Sequence, residues 1–295
     1  MNPSAELSEF LRTRRARLRP EEVGVVPVPG VRRVAGLRRE ELAQLAGISV
    51  DYYTRVEQGR IRRVSDSVIE SLAGALRLDQ HEQEHFRNLA QPSRQASREP
   101  AQQRVRPGLR IMLDALTDVP AYIVGRRLDV LAWNEMARAL VADFPALTPK
   151  ERNLARLVFL DERAREIYPE WEHIARNVVG NLRLEVGRHF DDPRLAGLVG
   201  DLSLRSPEFR NWWAGHDVKS RTFGTKTFRH SEVGLVKLHF STFQLAEDPE
   251  QKLIAYAAEA GSDAATALRL LASWNATLAP GPISAADPAD AIDRS

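Results

Sequence analysis

The sequence predicts two structural classes in tandem: an all-α front and an α+β rear built on a five-stranded antiparallel sheet. Three observations predict this. Across residues 1–90 the apolar residues fall into the pattern of five short helices. The stretch QPSRQASREPAQQRVRP, residues 91–107, carries three prolines and no periodicity, and so reads as a linker. Beyond it, short period-two segments appear between helical ones. The expected boundaries are 1–90, a linker at 91–104, a second domain at 105–279, and a disordered, Pro- and Ala-rich tail at 280–295.

In the front, Leu7, Phe10, Leu11 and Leu18 share one side of a first helix that Pro20 ends. A proline-containing loop, Glu21 to Gly36, follows. A second helix runs from Arg38 to Ala46 with Leu42, Leu45 and Ala46 inward, and Gly47 breaks it. Ser49 caps a third helix, Asp51 sits in its first turn, and Gly59 closes it. Ser65 begins a fourth, with Val68, Ile69, Leu72, Ala75 and Leu76 buried. Asp79 and Glu82 make an Asp version of the capping box for a fifth, with Phe86 and Leu89 inward.

The segment LRREELAQLAGISVDYYTRVEQG, residues 37–59, is two short helices around a Gly-containing turn, a helix-turn-helix. Leu42, Ala43 and Ala46 must pack on Ile48, Tyr53 and Val56, and Ala43 is small because the helices approach closely there. The opposite face of the second helix carries Asp51, Tyr52, Arg55 and Gln58, beside the cap Ser49. A helix of that size fits the major groove of DNA.

Charge agrees. The chain has 295 residues and a net charge of +2, but residues 1–110 hold twenty arginines against fourteen acidic residues. The front is therefore at +6 and the rear at −4. A basic front points to a polyanionic partner. The chain has no cysteine, which excludes disulfides, thiolate nucleophiles and Cys-type metal sites. No apolar run approaches the roughly 18 residues of a membrane span, and Met1 to Arg19 has no signal-peptide core. The economical expectation is a soluble cytoplasmic protein, nucleoid-associated when on DNA.

On these residues, 1–90 resembles the Xre-type, lambda-repressor-like helix-turn-helix domain. GLRREELAQLAGISVDYYTRVEQGR is very similar, without gaps, to its actinobacterial branch. The resemblance implies that Val50, Asp51, Tyr52 and Arg55 face base edges. Arg55 is then the best base reader, since a guanidinium can bond guanine O6 and N7 together. It implies phosphate contacts from Arg38 and Arg39 before the first motif helix, and from Arg60, Arg62 and Arg63 in the loop after the second.

The rear opens with a short helix at Pro107–Leu116. PAYIVG and LDVLAWN read as strands around an Arg126–Arg127 turn. Asn134 starts a helix with Ala137, Leu140 and Val141 inward, and residues 149–213 are mainly helical. RTFGTKTFRH and VGLVKLHFSTFQL make a hairpin in which Val236, Leu238 and Phe240 alternate with Lys237, His239 and Ser241. KLIAYAAE is a fifth strand, and Gly261 and Ser262 introduce a last helix through Leu271.

No Gly-rich phosphate loop, HExxH pair or G-x-S-x-G elbow occurs, and the rear histidines are dispersed. His216–Asp217 beside Trp212–Trp213 is the most suggestive cluster. Adjacent tryptophans mean packing or one wall of an apolar cavity. WN at 133–134, YPEW at 168–171 and DDPRLAGLVGDLSLRSPEFRNWWAGHDV at 191–218 are similar to the ligand-binding domain of MmyB-like regulators. That resemblance spans nearly all of 105–273 and implies a PAS-like fold and an apolar ligand, a fatty acid having been associated with one member. The departures are Glu135 and Ala260, where the family often has proline.

The leading expectation is therefore a non-enzymatic transcription regulator. It binds a double-stranded inverted-repeat operator as a homodimer and senses a small apolar ligand such as a fatty acid, with no metal or cofactor. Trp133, Phe209, Trp213, Phe228 and Phe240 are expected to surround the slot, with Arg176 and His216 as partners for a carboxylate. The alternatives are a rear domain that only dimerises or docks protein, and an enzyme tethered to DNA.

Overall fold

The computed structural model of the chain describes residues 3–24, 36–61, 63–91, 103–215 and 221–278. Most of the expected linker and the whole expected tail from 280 lie outside the described residues, as do Arg62 and His216.

Among the described residues the front holds five α-helices, α1 (Pro3–Arg17), α2 (Arg39–Leu45), α3 (Val50–Glu57), α4 (Asp66–Ala75) and α5 (Gln80–Ala90), and a 3-10 turn at Pro20–Val23 where the expected loop begins. Side chains fix where three of them start. Ser49 Oγ accepts from the Tyr52 amide at 3.1 Å and Ser65 Oγ from the Val68 amide at 3.4 Å. Asp79 and Glu82 exchange both capping-box bonds, at 2.9 and 3.0 Å. Such a cap is worth about 1 kcal/mol. Leu7, Phe10, Leu11, Leu42, Ala43, Tyr53, Val56, Ile69, Leu72 and Phe86 form one core. Gly47 turns α2 into α3 at φ 67°, a left-handed conformation that costs glycine nothing. Leu45, expected inward, is 38% exposed. The inward face of this seven-residue helix is set by Leu42, Ala43 and Ala46, which leaves Leu45 on its flank.

The rear comprises α6 (Pro107–Ala115), β1 (Ala121–Val124), β2 (Val130–Trp133), α7 (Glu135–Leu140), α8 (Leu154–Leu160), α9 (Ala164–Ile167), α10 (Trp171–Arg188), α11 (Pro193–Arg205) and α12 (Pro207–Ala214). Then follow β3 (Phe223–His230), β4 (Gly234–Gln244), β5 (Lys252–Ala257) and α13 (Asp263–Leu278). The strands make one antiparallel sheet in the order β2-β1-β5-β4-β3. The last helix continues past Leu271, its expected end, to Leu278.

Register decides which side chains share a face. Tyr122 pairs with Ile254 and Ile254 with Thr242; Val124 pairs with Lys252 and Lys252 with Gln244; Tyr256 pairs with Phe240 and Phe240 with Gly224. Lys226 pairs with Leu238, on the same face. This face packs on α7, α9, α10 and α13 through Met136, Leu140, Ala164, Ile174 and Leu268. The opposite face takes α6 through Leu113, which meets Ala121, Ile123 and Ala132.

Helix α10 joins the two domains. Val179, Leu182 and Val186 pack with α11 and α12, whereas Leu184 belongs to the front-domain core. Gly187 permits the approach, because a Cβ there would lie 2.6 Å from Nδ1 of His85 on α5. Fully buried Arg183 bonds the Trp213 carbonyl, lies 4.1 Å from the Trp213 ring centre, and pairs with Glu6 of α1 at 3.3 Å.

Candidate functional site

Two places carry chemistry. The first is the outward face of α3. Val50, Asp51, Arg55 and Gln58 are exposed there and Tyr52 is half-buried. Ser49 is exposed but its oxygen caps the helix. Arg60 and Arg63, also exposed, follow the helix in the loop. The structure thus brings Val50, Asp51, Tyr52, Arg55 and Gln58 onto one outward face, with Arg60 and Arg63 on the chain leaving it.

Arg38 and Arg39 precede or begin α2. The Arg38 amide donates to Glu41 at 2.7 Å. Arg39, 46% exposed, is tied by Nε and Nη2 to Oε1 of Glu57, at 2.9 and 2.7 Å. Glu57, the last residue of α3, is 2% exposed and also accepts from Arg15 of α1 at 3.0 Å and from the Tyr53 hydroxyl at 2.6 Å. Burial would raise its carboxyl pKa. Hydrogen bonds from Tyr53, Arg39 and Arg15, and the charge of Arg15, outweigh that and hold it below the usual carboxylate range. One carboxylate therefore fixes α1 and α2 against the recognition-type helix. Sequence reasoning missed Glu57, although it neighbours the inward Val56 and lies one turn after the inward Tyr53.

The second place is a cavity of about 300 Å³ over the inner sheet face. Its floor is Tyr122, Val124, Ile254, Tyr256, Phe240 and Thr242. Its roof is one side of α10, on which His173, Asn177, Asn181, Leu184 and Arg188 recur at helical spacing with Ile174 and Val178 beside them. His81 and Glu84 of α5 complete the wall, so the front domain contributes to it.

The cavity has two distinct ends. At one, Lys226 Nζ donates to the Tyr256 hydroxyl at 3.0 Å, which shares a 2.9 Å hydrogen bond with the Tyr122 hydroxyl. Four rings, of Tyr168, Phe228, Phe240 and Tyr256, have their centres 5.3–5.9 Å from Nζ. Among the described residues Lys226 has no carboxylate partner. Burial pushes the Tyr122 and Tyr256 phenols well up and Tyr168 to about 12, so all three stay protonated. At the other end two cations are matched, and a third, Arg221, stands exposed. Lys252 pairs with Glu185 at 3.0 Å and Arg188 with Glu84 at 2.6 Å. A larger hollow of about 770 Å³ lies along β2, but Arg127 and Arg156 beside it are paired with Asp192 and Asp201.

Of the described residues expected around a slot, only Phe240 lines the cavity. Phe228 is fully buried under it, one ring below Lys226. Trp133 stacks near Phe144, with ring centres 5.1 Å apart, and under Arg152 at the far side of the sheet's first hairpin. Phe209 and Trp213 stack 5.5 Å apart in the α10–α11–α12 cluster, and Trp212 packs on Trp171. The tryptophan pair therefore buttresses the back of α10 and does not line the cavity. Arg176 is exposed, paired with Glu172 at 2.7 Å and lying over Trp212. It follows the outer side of α10, because position 176 falls outside the 173/177/181/184/188 stripe. His216 lies outside the described residues. Lys226 was missed, although it stands two residues before Phe228 on the same strand face.

A helix-turn-helix front on a rear domain with a cavity over its sheet defines a DNA-binding transcription regulator with a ligand-binding domain. The comparisons carry this further. The family described as the MmyB-like transcription regulator ligand binding domain matches residues 105–271, and a helix-turn-helix domain family matches 6–86. The chain belongs to the MmyB-like transcription regulators. No curated protein matches it. Among the described residues no helix is long and apolar enough to cross a membrane.

Proposed function

We propose that the chain is a ligand-controlled regulator that binds an inverted-repeat operator as a homodimer and takes a small apolar molecule, such as a fatty acid, into the rear cavity. The observation that carries the ligand reading is the cavity itself: an aromatic and aliphatic floor under a roof of mixed polarity, with Lys226 set among four rings and without a carboxylate partner among the described residues. A domain that served only to dimerise would have a filled core. An enzyme would need a nucleophile or base, whereas the Lys226–Tyr256–Tyr122 group, with both phenols held protonated, offers donors suited to holding an anion. The working place for such a protein is the cytoplasm, at the nucleoid.

The dimer follows from area. One helix-turn-helix module buries too little surface for tight specific binding, so half-sites about 10 bp apart, or a multiple, are expected. The exposed rings of Phe223 and Phe243, on the part of the outer sheet face beyond α6, support the docking reading. A dimer that dissolves on Phe243→Asp while cavity binding persists would assign that face to docking.

The test of the DNA face separates reading from anchoring. Arg55→Ala is expected to cost roughly 1–3 kcal/mol and to relax base preference at one position per half-site. Arg63→Ala is expected to weaken all sequences alike and to reduce the salt slope by about one per contact. Competition binding on randomised duplexes at two salt concentrations checks both. Unchanged preference in Arg55→Ala would remove it as the base reader.

A further inference from the structure

We infer that the cavity holds its ligand in one direction, as a monocarboxylate whose head lies on Lys226 and the tyrosine pair and whose tail end is read directly by α5 of the DNA-binding domain. This rests on the ligand reading above and adds the head group, the orientation and the sensor.

The head end follows from hydrogen-bond accounting. Lys226 Nζ carries three donors, and one is spent on Tyr256. The two phenols share one hydrogen bond, so one phenolic hydrogen is left over whichever ring donates. An anion here meets a cation and a phenol donor in a ring-walled, weakly hydrated setting, where charge-assisted bonds are strongest. At the opposite end Glu185 and Glu84 already neutralise Lys252 and Arg188, and the remaining cation, Arg221, is exposed, where an ion pair is worth little. A carboxylate placed there would displace one of those acids or settle for a solvated arginine.

The tail end follows from register. From the Leu238–Lys226 pair to the Gln244–Lys252 pair is six residues of β4, about 20 Å. Along the roof, His173 to Arg188 is about 22 Å of α10. The 3.0 Å contact of Lys252 with Glu185 shows that the C-terminal end of α10 lies over the far end of the sheet. A tetrahedral zigzag of about 1.5 Å bonds advances about 1.3 Å per carbon, so roughly a dozen carbons span about 14 Å and reach Leu184, which stands about 6 Å of helix before Arg188.

What waits there is the front domain. Leu184 lines the cavity and also belongs to the front-domain core. Glu84 and His81 of α5 stand beside it, and Arg188–Glu84 closes the wall. A tail that reaches Leu184 touches a side chain both domains share; a shorter tail does not. A ligand shifts a conformational equilibrium only by its differential affinity for the two arrangements. On this geometry only the longer acid has such a difference.

The experiment uses the full chain with octanoate, dodecanoate and dodecanol, and an operator selected from random duplexes. Calorimetry is expected to rank dodecanoate above octanoate by about fourfold per added methylene. Dodecanoate should exceed dodecanol by roughly 10- to 100-fold, the worth of a hydrogen bond to a charged group. Lys226→Met should abolish that acid-over-alcohol preference while dodecanol still binds. At saturation, dodecanoate should change operator affinity by at least about fivefold and octanoate by less than twofold. Retained acid preference in Lys226→Met overturns the head assignment. Equal effects of the two acids on operator affinity overturn the α5 sensor. If none of the three probes binds, the ligand reading itself falls, whereas binding with no head or length dependence overturns only this inference.

Discussion

Glu57→Ala is expected to destabilise the front domain by about 3–5 kcal/mol, because it strands the partly buried Arg15 beside Tyr53 and frees Arg39. Glu57→Gln keeps the volume and an acceptor for Tyr53 but loses the charge, so it should fall between wild type and Ala. The pH dependence gives an independent reading. The folded Glu57 carboxyl titrates below its ordinary value of 4.5, so its contribution is complete above that pH. It is lost as pH falls through the lower folded value, and the gap between wild type and Glu57→Gln should shrink there. The readout must be chosen with care. All five tryptophans, at 133, 171, 212, 213 and 274, belong to the rear domain. Far-ultraviolet circular dichroism or amide exchange of α1–α3 is therefore the measurement, and a pH-independent gap would show that Glu57 contributes by shape alone.

Asn134→Asp is expected to cost as much as Asn134→Ala, about 3 kcal/mol or more. Asn134 is buried and every arm is used. Its oxygen accepts from the amides of Ala121 at 3.0 Å and Ala137 at 2.9 Å, and its nitrogen donates to the carbonyls of Leu116 at 2.8 Å and Val119 at 2.7 Å. The Ala137 bond caps α7, and Asp caps helices as well as Asn does. If capping were its whole role, Asn134→Asp would be neutral. The two carbonyls decide otherwise. A carboxylate facing them exchanges two donated bonds for repulsion, and orphaned buried acceptors cost about 1–3 kcal/mol each. Denaturant unfolding followed by tryptophan fluorescence measures both variants, and a neutral Asn134→Asp would reduce the residue to a helix cap.

Asn134 also shows what a sequence makes legible. The WN pair marks the strand-to-helix junction by type and position, and a cap was readable from it. The two carbonyls it clamps come from the α6–β1 connection, which only the folded chain brings near. The alternation of Val236, Leu238 and Phe240 likewise identified a buried face. It did not reveal that Lys226 would lie opposite Leu238, since strand pairing is a long-range choice. By residue type the tryptophan pair fits packing or a cavity wall, and Trp213 is expected at the slot. It packs instead behind α10, and local sequence holds no information on which side of a helix is hollow. Arg176 was misplaced for the same reason. The front domain was legible almost throughout, because caps, turns and a 3.6-residue period are local. The exceptions are Leu45, at the flank of a short helix, and Glu57, a charged residue whose three partners come from three helices.

Leu184 has a consequence in time. The ribosome releases the front domain first, yet the leucine that completes its core is made roughly ninety residues later, on the order of 5–20 s at ordinary rates of synthesis. During that interval the nascent domain carries an open apolar socket between α5 and its neighbours. Residues 1–90 produced alone would keep that socket for good, and should melt earlier and aggregate more than the same residues in the whole chain. The core behind α3 is thus completed only after nearly half of the rear domain has been translated.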